Sequence, residues 1–136
     1  MARDTHQRRA ILRALHEASG PLTPHEVHAA ARRDHDRLGL ATVYRNLARL
    51  EEAGDVVPVH LPDDVARYEP AGRGHHHHFQ CRRCEHVFEL VADCPVSVLE
   101  GVVLPGGFQV EDHALTLYGL CADCRPGEGT RRAERA

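Results

Sequence analysis

The sequence lacks several features that would place it in other classes of protein. It has no apolar run of about 18 residues, the length that spans a bilayer, and its first residues contain no apolar signal core. These absences predict a cytoplasmic protein without a membrane partner. The chain also lacks lysine, since all 17 basic residues are arginine, which we interpret as coding bias. It contains no repeat of solenoid length and no HExxH motif of the kind that zinc hydrolases carry.

The 136 residues are enough for one domain or for two very small ones. Two domains of about 70 residues would each have a thin core and would need a metal, a disulfide or a partner subunit. The net charge of −3 is ordinary for a globular protein but is unevenly distributed. Residues 1–57 carry nine arginines against eight acidic residues, so the first half is mildly basic, which permits nucleic-acid binding without requiring it.

Three helices followed by a β-hairpin are predicted for the first half of the chain. Apolar residues recur at helical spacing in residues 5–18, 24–33 and 40–53. Two short strands are expected near 56–60 and 66–69. This order of elements is typical of a winged helix-turn-helix domain.

Capping signals support the predicted helix ends. Thr5 is a candidate cap for the first helix. Thr23, Pro24 and Glu26 form a capping-box pattern at the start of the second helix. Gly54 follows the third helix, where a left-handed residue commonly ends a helix.

The expected domain boundaries follow a change of composition. The predicted domains are a winged-helix domain at 1–70, a glycine-rich hinge at 71–74, a second domain with all five cysteines at 75–124, and a disordered, charged tail at 125–136. In the second domain we expect strands around Phe79 and Val87, a short helix at 95–103 and a strand over 109–120. The predicted fold class is α+β.

Four cysteines form two CxxC pairs, with Cys81 and Cys84 in the first and Cys121 and Cys124 in the second. Two such pairs can complete a tetrahedral shell of four sulfurs, which suits Zn²⁺. Because all four positions are filled, the predicted zinc is structural and not catalytic. The alternative is a thiol–disulfide switch that expels zinc, and the two interpretations are compatible.

Four consecutive histidines precede the first CxxC pair. The run is internal, so it is not an expression tag. On a strand His75 and His77 would point to one face and His76 and His78 to the other. Such pairs chelate Zn, Ni, Fe or Mn, so the run can supply two separate metal sites. The alternative is a solvated polar strand.

The third predicted helix is the candidate DNA-reading element. Helix-turn-helix proteins place the start of this helix in the major groove. The outward-facing residues Thr42, Tyr44 and Arg45 are candidates for contacts to bases or phosphates. Arg8, Arg9 and Arg49 are candidates for phosphate contacts. The alternative is a solvated helix face.

These pieces together resemble the ferric uptake regulator family. The matching segments, in family order, are THQRRAIL (5–12), GLATVYRNL (39–47), RYE (67–69), the histidine run with the first CxxC pair, and HALTLYGL (113–120) with the second. The resemblance implies an N-terminal winged-helix domain and a small C-terminal α/β dimerisation domain. It also implies a regulatory metal at the hinge and binding of double-stranded operator DNA as a homodimer.

The resemblance further implies two ligand sets besides the cysteines. The regulatory hinge site would use Glu69, His76, His78 and Glu89. A possible second site in the dimerisation domain would use His75, His77 and His113.

The sequence departs from the family pattern in ways that leave the sensed metal open. Pro21 stands where iron and peroxide sensors place a histidine. Val57 and Pro70 stand in the wing, where some zinc sensors have an Asp or Cys ligand. His60 matches a ligand position of nickel sensors, but the second ligand that those sensors carry two residues earlier is missing.

One departure concerns the second site. Its expected acidic ligand falls on Val96, for which Asp93 or Cys94 could substitute. For Cys94 the alternative is a simple buried residue.

The predicted function is metal-dependent repression that controls metal-ion homeostasis. The protein would need structural Zn²⁺ and a second divalent metal. Zinc is the first candidate for this second metal, followed by Mn²⁺ or Fe²⁺ and then by Ni²⁺. It would have no enzymatic activity and no small organic substrate. The alternatives are a manganese-, iron-, nickel- or peroxide-responsive member of the family, a metal buffer or chaperone without DNA binding, and a zinc hydrolase.

Overall fold

The computed structural model describes residues 2–90 and 93–126. The tail predicted at 125–136 therefore lies almost entirely outside the described residues. The chain divides into two compact units, Met1–His76 and His77–Ala136. No helix in the described part of the chain is long and apolar enough to cross a membrane.

Three helices build the core of the first unit: α1 (Ala2–Glu17), α2 (Pro24–Ala31) and α3 (Leu40–Glu52). Each helix turns one apolar stripe inward, as the helical spacing of its apolar residues requires. The buried cluster comprises Ala10, Ile11, Ala14, Leu15, Val27, Ala31, Leu38, Val43, Leu47, Leu50 and Val56. The three helices predicted from the sequence are confirmed, although α1 begins earlier and α2 ends earlier than expected.

The start of α2 is a complete capping box. The backbone amide of Glu26 donates to the Thr23 hydroxyl at 3.2 Å, and the Thr23 amide donates to the Glu26 carboxylate at 2.9 Å. The box places Pro24 at the first helical position, where it needs no amide donor. Thr5, by contrast, lies inside α1, so the expectation that it caps this helix is wrong.

The end of α3 redirects the chain into the hairpin. Gly54 has a φ of 81°, and its amide donates to the carbonyl of Glu51 at 3.0 Å. The amide of Asp55 donates to the carbonyl of Leu50 at 2.9 Å. These two bonds form a Schellman motif, which requires a left-handed residue at the glycine position.

Two antiparallel strands follow α3, β1 (Val56–Val59) and β2 (Arg67–Pro70). A bridge between Leu22 and Tyr68 attaches β2 to the segment before α2. The hairpin is therefore fastened to the helical core at both its beginning and its end.

The second unit contains a three-stranded sheet whose first strand in the chain lies in the middle. Its strands are β3 (His77–Cys81), β4 (Val87–Leu90) and β7 (Thr116–Gly119). β3 pairs antiparallel with β4 and parallel with β7. A small hairpin, β5 (Val103–Leu104) and β6 (Phe108–Gln109), lies between β4 and β7 in the chain.

Two expectations for the second unit need correction. The helix expected at 95–103 is a single 3-10 turn, Ser97–Leu99. The single strand expected over 109–120 is two strands, β6 and β7, separated by irregular backbone. In that gap the Asp112 carboxylate accepts the backbone amide of His113 at 2.8 Å, a local bond that competes with strand pairing.

The second unit has very little apolar core. Among the described residues, its only buried hydrophobic side chains are Cys81 and Val87, whereas the first unit has a contiguous cluster. A unit with so little buried apolar surface needs another source of stability, such as a metal or a partner subunit.

Candidate metal centres

The parallel pairing of β3 with β7 brings the two CxxC pairs together. Cys81 ends β3 and lies opposite Gly119, the last residue of β7. The amide of Arg82 donates to the carbonyl of Gly119 at 2.7 Å, which ties the first cysteine turn to that strand. Cys121 follows two residues later, so both pairs begin at the same edge of the sheet.

The four cysteine sulfurs lie within 4.8 Å of one another. The Sγ atoms of Cys84 and Cys121 are 3.9 Å apart, against about 3.8 Å for neighbouring sulfurs in a tetrahedral shell with 2.3 Å bonds. This separation is far beyond a disulfide bond of about 2.05 Å, and all five cysteines are free thiols. The donor set therefore fits a tetrahedral thiophilic ion.

The electrostatics of the cluster favour a cation. Hydrogen bonds from the backbone amides of Cys121 and Cys84 lower the pKa of the Cys81 thiol to about 6. The hydrogen bond with the Cys121 side chain is the largest of the causes that raise the pKa of Cys124 to about 12. A set of clustered sulfurs can hold one thiolate but resists a second, because hydrogen bonding to a neighbouring sulfur and burial keep the proton on the second thiol. A divalent ion would stabilise the deprotonated form of all four thiols.

A second cluster lies within the second unit. The Nε2 atoms of His77 and His113 are 3.1 Å apart, and the Cys94 sulfur lies 3.2 Å from the first and 3.0 Å from the second. The sequence left Asp93 and Cys94 as alternatives for one ligand of this site. Of the two, Cys94 is the residue that lies beside the histidines. Asp93 is exposed, and Val96 is a partly buried residue without a donor atom.

Glu69 and His76 meet within the first unit. The Nε2 atom of His76 lies 3.0 Å and 3.1 Å from the two carboxylate oxygens of Glu69. The Glu69 side chain is only 7% exposed. The Nδ1 atom of His76 lies 2.9 Å from the carbonyl oxygen of Gly74, and this bond orients the imidazole ring.

His78 and Glu89 are neighbours in the second unit. They are direct partners in the register of β3 and β4, so their side chains project from the same face of the sheet. Both residues are partly buried. His75, the remaining member of the histidine run, is exposed and precedes β3 by two positions.

The candidate DNA-contacting residues are placed on α3 and α1. Tyr44 is 49% exposed, and Arg45 and Arg49 are exposed as well. Arg45 donates to the hydroxyl of the partly buried Thr42 at 3.0 Å. On α1, Arg8 and Arg9 are exposed, and Arg8 is paired at 2.6 Å with Asp55, which the sequence did not reveal.

The residues that mark departures from the family pattern lie apart from these clusters. His60, Val57, Pro70 and Pro21 belong to no metal-binding group within the part of the chain that the structure describes. Pro21 and Pro70 are buried, and Val57 and His60 are exposed.

One residue near the second cluster was not predicted. A carboxylate oxygen of Glu100 lies 3.9 Å from Nδ1 of His113. This contact is too long for a hydrogen bond. No spacing rule in the sequence indicates Glu100, since it is 13 residues from the histidine.

Comparison with known proteins places the chain in one family. Residues 2–118 match the model of the ferric uptake regulator family. The ferric uptake regulation protein of Bacillus subtilis strain 168 is 35% identical over 128 residues, covering 91% of this chain and 86% of that protein.

Two solved structures are also similar. A zinc-bound manganese uptake regulator superposes with a TM-score of 0.74 at 28% identity, covering 85% of this chain and 87% of its own. A zinc uptake regulator of M. tuberculosis is 31% identical with a TM-score of 0.50, covering 91% and 96%. The match of the family model over most of the chain and the Bacillus relative lead to one conclusion: this chain belongs to the ferric uptake regulator family.

Proposed function

We propose that this protein is a transcriptional repressor that binds operator DNA as a homodimer when a divalent metal, zinc foremost, fills a hinge site. It would thereby control metal-ion homeostasis. The observation that carries the proposal is the buried carboxylate of Glu69, held 3.0 Å from His76 immediately before the strand that carries His78. Family membership supports a regulator of transcription and not an enzyme.

The proposed hinge site has two halves. Glu69 and His76 belong to the first unit and are already in contact. His78 and Glu89 belong to the second unit and share one face of its sheet. Two imidazoles and two carboxylates are a suitable donor set for zinc, manganese or iron(II). A ligand set divided between two units can respond to metal by changing the orientation of the units.

The switch follows from linkage. An ion that binds one arrangement of the units more tightly than others shifts the population toward that arrangement. If this arrangement also binds operator better, DNA must tighten metal binding by the same factor. In a dimer, the two α3 helices must lie about 34–36 Å apart to reach successive major grooves. The orientation of the units therefore controls DNA affinity.

The four-cysteine cluster is proposed to hold structural zinc. Cys81, Cys84, Cys121 and Cys124 fill a tetrahedral shell, which leaves no position for a substrate. Zinc binding in small modules contributes about 10–16 kcal/mol. A contribution of this size compensates for the thin core of the second unit.

The first unit is proposed to be a winged helix-turn-helix domain that reads DNA with α3. His28 Nε2 lies 2.7 Å from the carbonyl oxygen of Leu38, which ties α2 to the residues just before α3. Tyr44 and Arg45 then lie on the exposed face of that helix. Arg8 is paired with Asp55, but an exposed pair of this kind is worth at most about 1 kcal/mol. Replacing Asp55 with a DNA phosphate as the partner of Arg8 therefore costs little free energy.

Exposed apolar side chains support a homodimer formed through the second unit. Phe108 is 69% exposed, Val103 63% and Val98 78%. Leu99 and Leu104 are exposed in the same segment. Apolar residues concentrated on a small unit with little core indicate a surface that another subunit covers.

Other functions remain as alternatives to the zinc-responsive repressor. Carboxylate and imidazole ligands also suit manganese and iron(II), so a manganese- or iron-responsive regulator is the second candidate. A nickel or peroxide sensor is less well supported, because His60 lies outside the clusters among the described residues and Pro21 offers no ligand. A metal buffer without DNA binding would have no use for the exposed Tyr44 and Arg45.

The proposal is tested by operator selection from genomic DNA. The dimer, stripped of hinge metal but retaining its four-cysteine zinc, is mixed with immobilised fragments, and zinc, manganese, iron(II) and nickel are added singly at buffered free concentrations. We expect one metal, zinc before the others, to switch on sequence-specific binding. Equal binding by the stripped and loaded forms would show that the hinge-switch proposal is wrong.

A further inference from the structure

We propose that Asp55 limits the sequence-independent affinity of the protein for DNA, because its carboxylate competes with backbone phosphates for the guanidinium group of Arg8. The inference rests on the proposed DNA binding by the first unit and deepens it. It involves neither the hinge ligands nor their metal, so it can fail while the metal switch holds, and the metal switch can fail while it holds.

The contact between Arg8 and Asp55 is short and open to solvent. Nη2 of Arg8 lies 2.6 Å from a carboxylate oxygen of Asp55, and the two side chains are 49% and 46% exposed. At this separation the charges of the guanidinium and the carboxylate offset each other locally. Because almost half of each side chain is accessible, a phosphate that approaches Arg8 also meets the negative charge of Asp55.

The backbone of Asp55 is held from two sides. Its amide donates to the carbonyl of Leu50 near the end of α3 at 2.9 Å, and its carbonyl accepts the amide of Ala71, which follows β2, at 3.0 Å. Only the side-chain torsions of Asp55 remain free, so its carboxylate reaches Arg8 with little loss of conformational freedom. The pair is therefore a preorganised feature of the fold that joins α1 to the start of the hairpin.

The stability of the first unit does not account for an acidic residue at this position. The C-terminal end of a helix carries partial negative charge, which disfavours a nearby carboxylate, and Asp55 comes shortly after Glu52, the last residue of α3. An exposed ion pair adds little to stability in return. The carboxylate matters instead for what Arg8 can bind.

Arg45 on the proposed reading helix shows the contrast with Arg8. Its guanidinium donates to the neutral hydroxyl of Thr42 at 3.0 Å, a bond that leaves the positive charge uncompensated. Arg8 is offset by a full negative charge. Contacts to phosphates carry no sequence information, whereas contacts to base edges do. The chain thus weakens a candidate phosphate contact and leaves the candidate base contact at full strength.

A weaker phosphate contact has a consequence for regulation. Phosphate contacts supply nearly all of the affinity for DNA of arbitrary sequence. A repressor with too much of this affinity would stay on DNA without its metal. By competing for Arg8, Asp55 lowers this background binding. In a homodimer the competition occurs once in each subunit, so the two factors multiply.

A double-mutant cycle tests the competition. The full-length protein, with zinc retained in its four-cysteine cluster and hinge metal removed, is titrated with a fluorescent duplex of random sequence at several salt concentrations. We expect Asp55→Asn to raise the affinity about two- to fivefold for each subunit, or about 4- to 25-fold for the dimer. The salt dependence should steepen by up to about 0.9 for each subunit, the value of one further phosphate contact. In the Arg8→Ala background, Asp55→Asn should change neither quantity.

Two further variants separate this competition from a general effect of charge. Asp55→Glu keeps a carboxylate within reach of Arg8 and should bind DNA as the wild type does. Glu52→Gln removes an exposed negative charge at the end of α3 but no partner of Arg8, and its gain in affinity should be much smaller than that of Asp55→Asn. Equal gains from these two neutralising variants would contradict the proposal.

The remaining outcomes of the cycle are equally decisive. A gain from Asp55→Asn that persists without Arg8, a loss of affinity in Asp55→Asn, or unchanged binding in Arg8→Ala overturns the proposal. The response to hinge metal is measured separately on the wild type. Its absence would contradict the hinge switch alone, because the cycle is performed without hinge metal.

Discussion

The Nε2 atom of His76 lies 3.0 Å from a carboxylate oxygen of Glu69, although these residues are separated by a strand end and a glycine-rich turn. The turn contains Gly72 and Gly74, both at positive φ, a conformation that glycine adopts without steric cost. The backbone therefore folds back and presents the imidazole to a buried carboxylate. Two of the four proposed hinge ligands are therefore in direct contact with each other.

Removing the Glu69 carboxylate should uncouple metal from DNA binding. In Glu69→Gln, one charged ligand is lost while the side-chain shape is retained. We expect metal to enhance operator affinity by less than a tenth of the wild-type factor, as measured by fluorescence anisotropy at buffered zinc. Glu17→Gln, an exposed residue that pairs with Arg13, is the matched control and should behave as wild type. An unaltered metal response in Glu69→Gln would exclude this residue from the switch.

Arg45 should contribute directly to DNA recognition. In Arg45→Ala we expect operator affinity to fall about 5- to 150-fold, which corresponds to the 1–3 kcal/mol of a specific base contact. Arg45→Lys keeps the charge and separates the two modes of contact. A phosphate contact survives this change, whereas a bidentate base contact does not. Arg13→Ala, which removes an exposed arginine paired with Glu17 and Asp34, is the control. Equal losses in Arg45→Ala and Arg13→Ala would contradict the assignment.

The four-cysteine cluster should be essential for the folded structure of the second unit. Cys84→Ser removes one of four thiolates, and we expect loss of the tightly bound zinc together with loss of near-UV circular dichroism from Phe79 and Tyr118. Cys94→Ser is the matched control, because it is the one cysteine outside the cluster. It should retain the tightly bound zinc. If Cys84→Ser keeps its zinc after chelator treatment, the four-sulfur assignment fails.

The capping box should stabilise the first unit measurably. Thr23→Ala removes the hydroxyl that accepts the Glu26 amide, and we expect a loss of about 1 kcal/mol in the free energy of unfolding. Ser19→Ala is the control, because it also removes a hydroxyl but Ser19 is exposed and lies outside the helices. It should change stability by less than about 0.5 kcal/mol. Denaturant unfolding of both variants measures the difference, and a reversed order would contradict the cap assignment.

The exposed apolar segment of the second unit should form the dimer. Phe108→Glu places a charge on a side chain that is 69% exposed in the isolated chain, and we expect dissociation to monomers at micromolar concentration in sedimentation analysis. Val57→Glu, at an exposed position on β1, is the control and should remain dimeric. A dimeric Phe108→Glu would place the interface elsewhere.

Local features of the fold were readable from the sequence because they depend on neighbouring residues. The capping box at Thr23, the helical stripe of Val43 and Leu47, and the chain reversal at Gly54 each involve residues only a few positions apart. The single strand expected over 109–120 was wrong, because a side-chain bond between Asp112 and the backbone interrupts it. Strand propensity alone does not detect such competition.

The sequence by itself determined which donor atoms the protein possesses: two CxxC pairs, a histidine run and a few carboxylates, whose types already favour zinc-like ions. The resemblance predicted how these donors are grouped, but only the tertiary structure decided that Cys94, and not Asp93, lies beside the two histidines. The parallel register of β3 and β7 places Cys81 beside the second CxxC pair, and the chain path around the 3-10 turn brings Cys94 to His77 and His113. Such contacts join residues far apart in the chain, and their formation depends on strand order and register, which spacing rules do not encode.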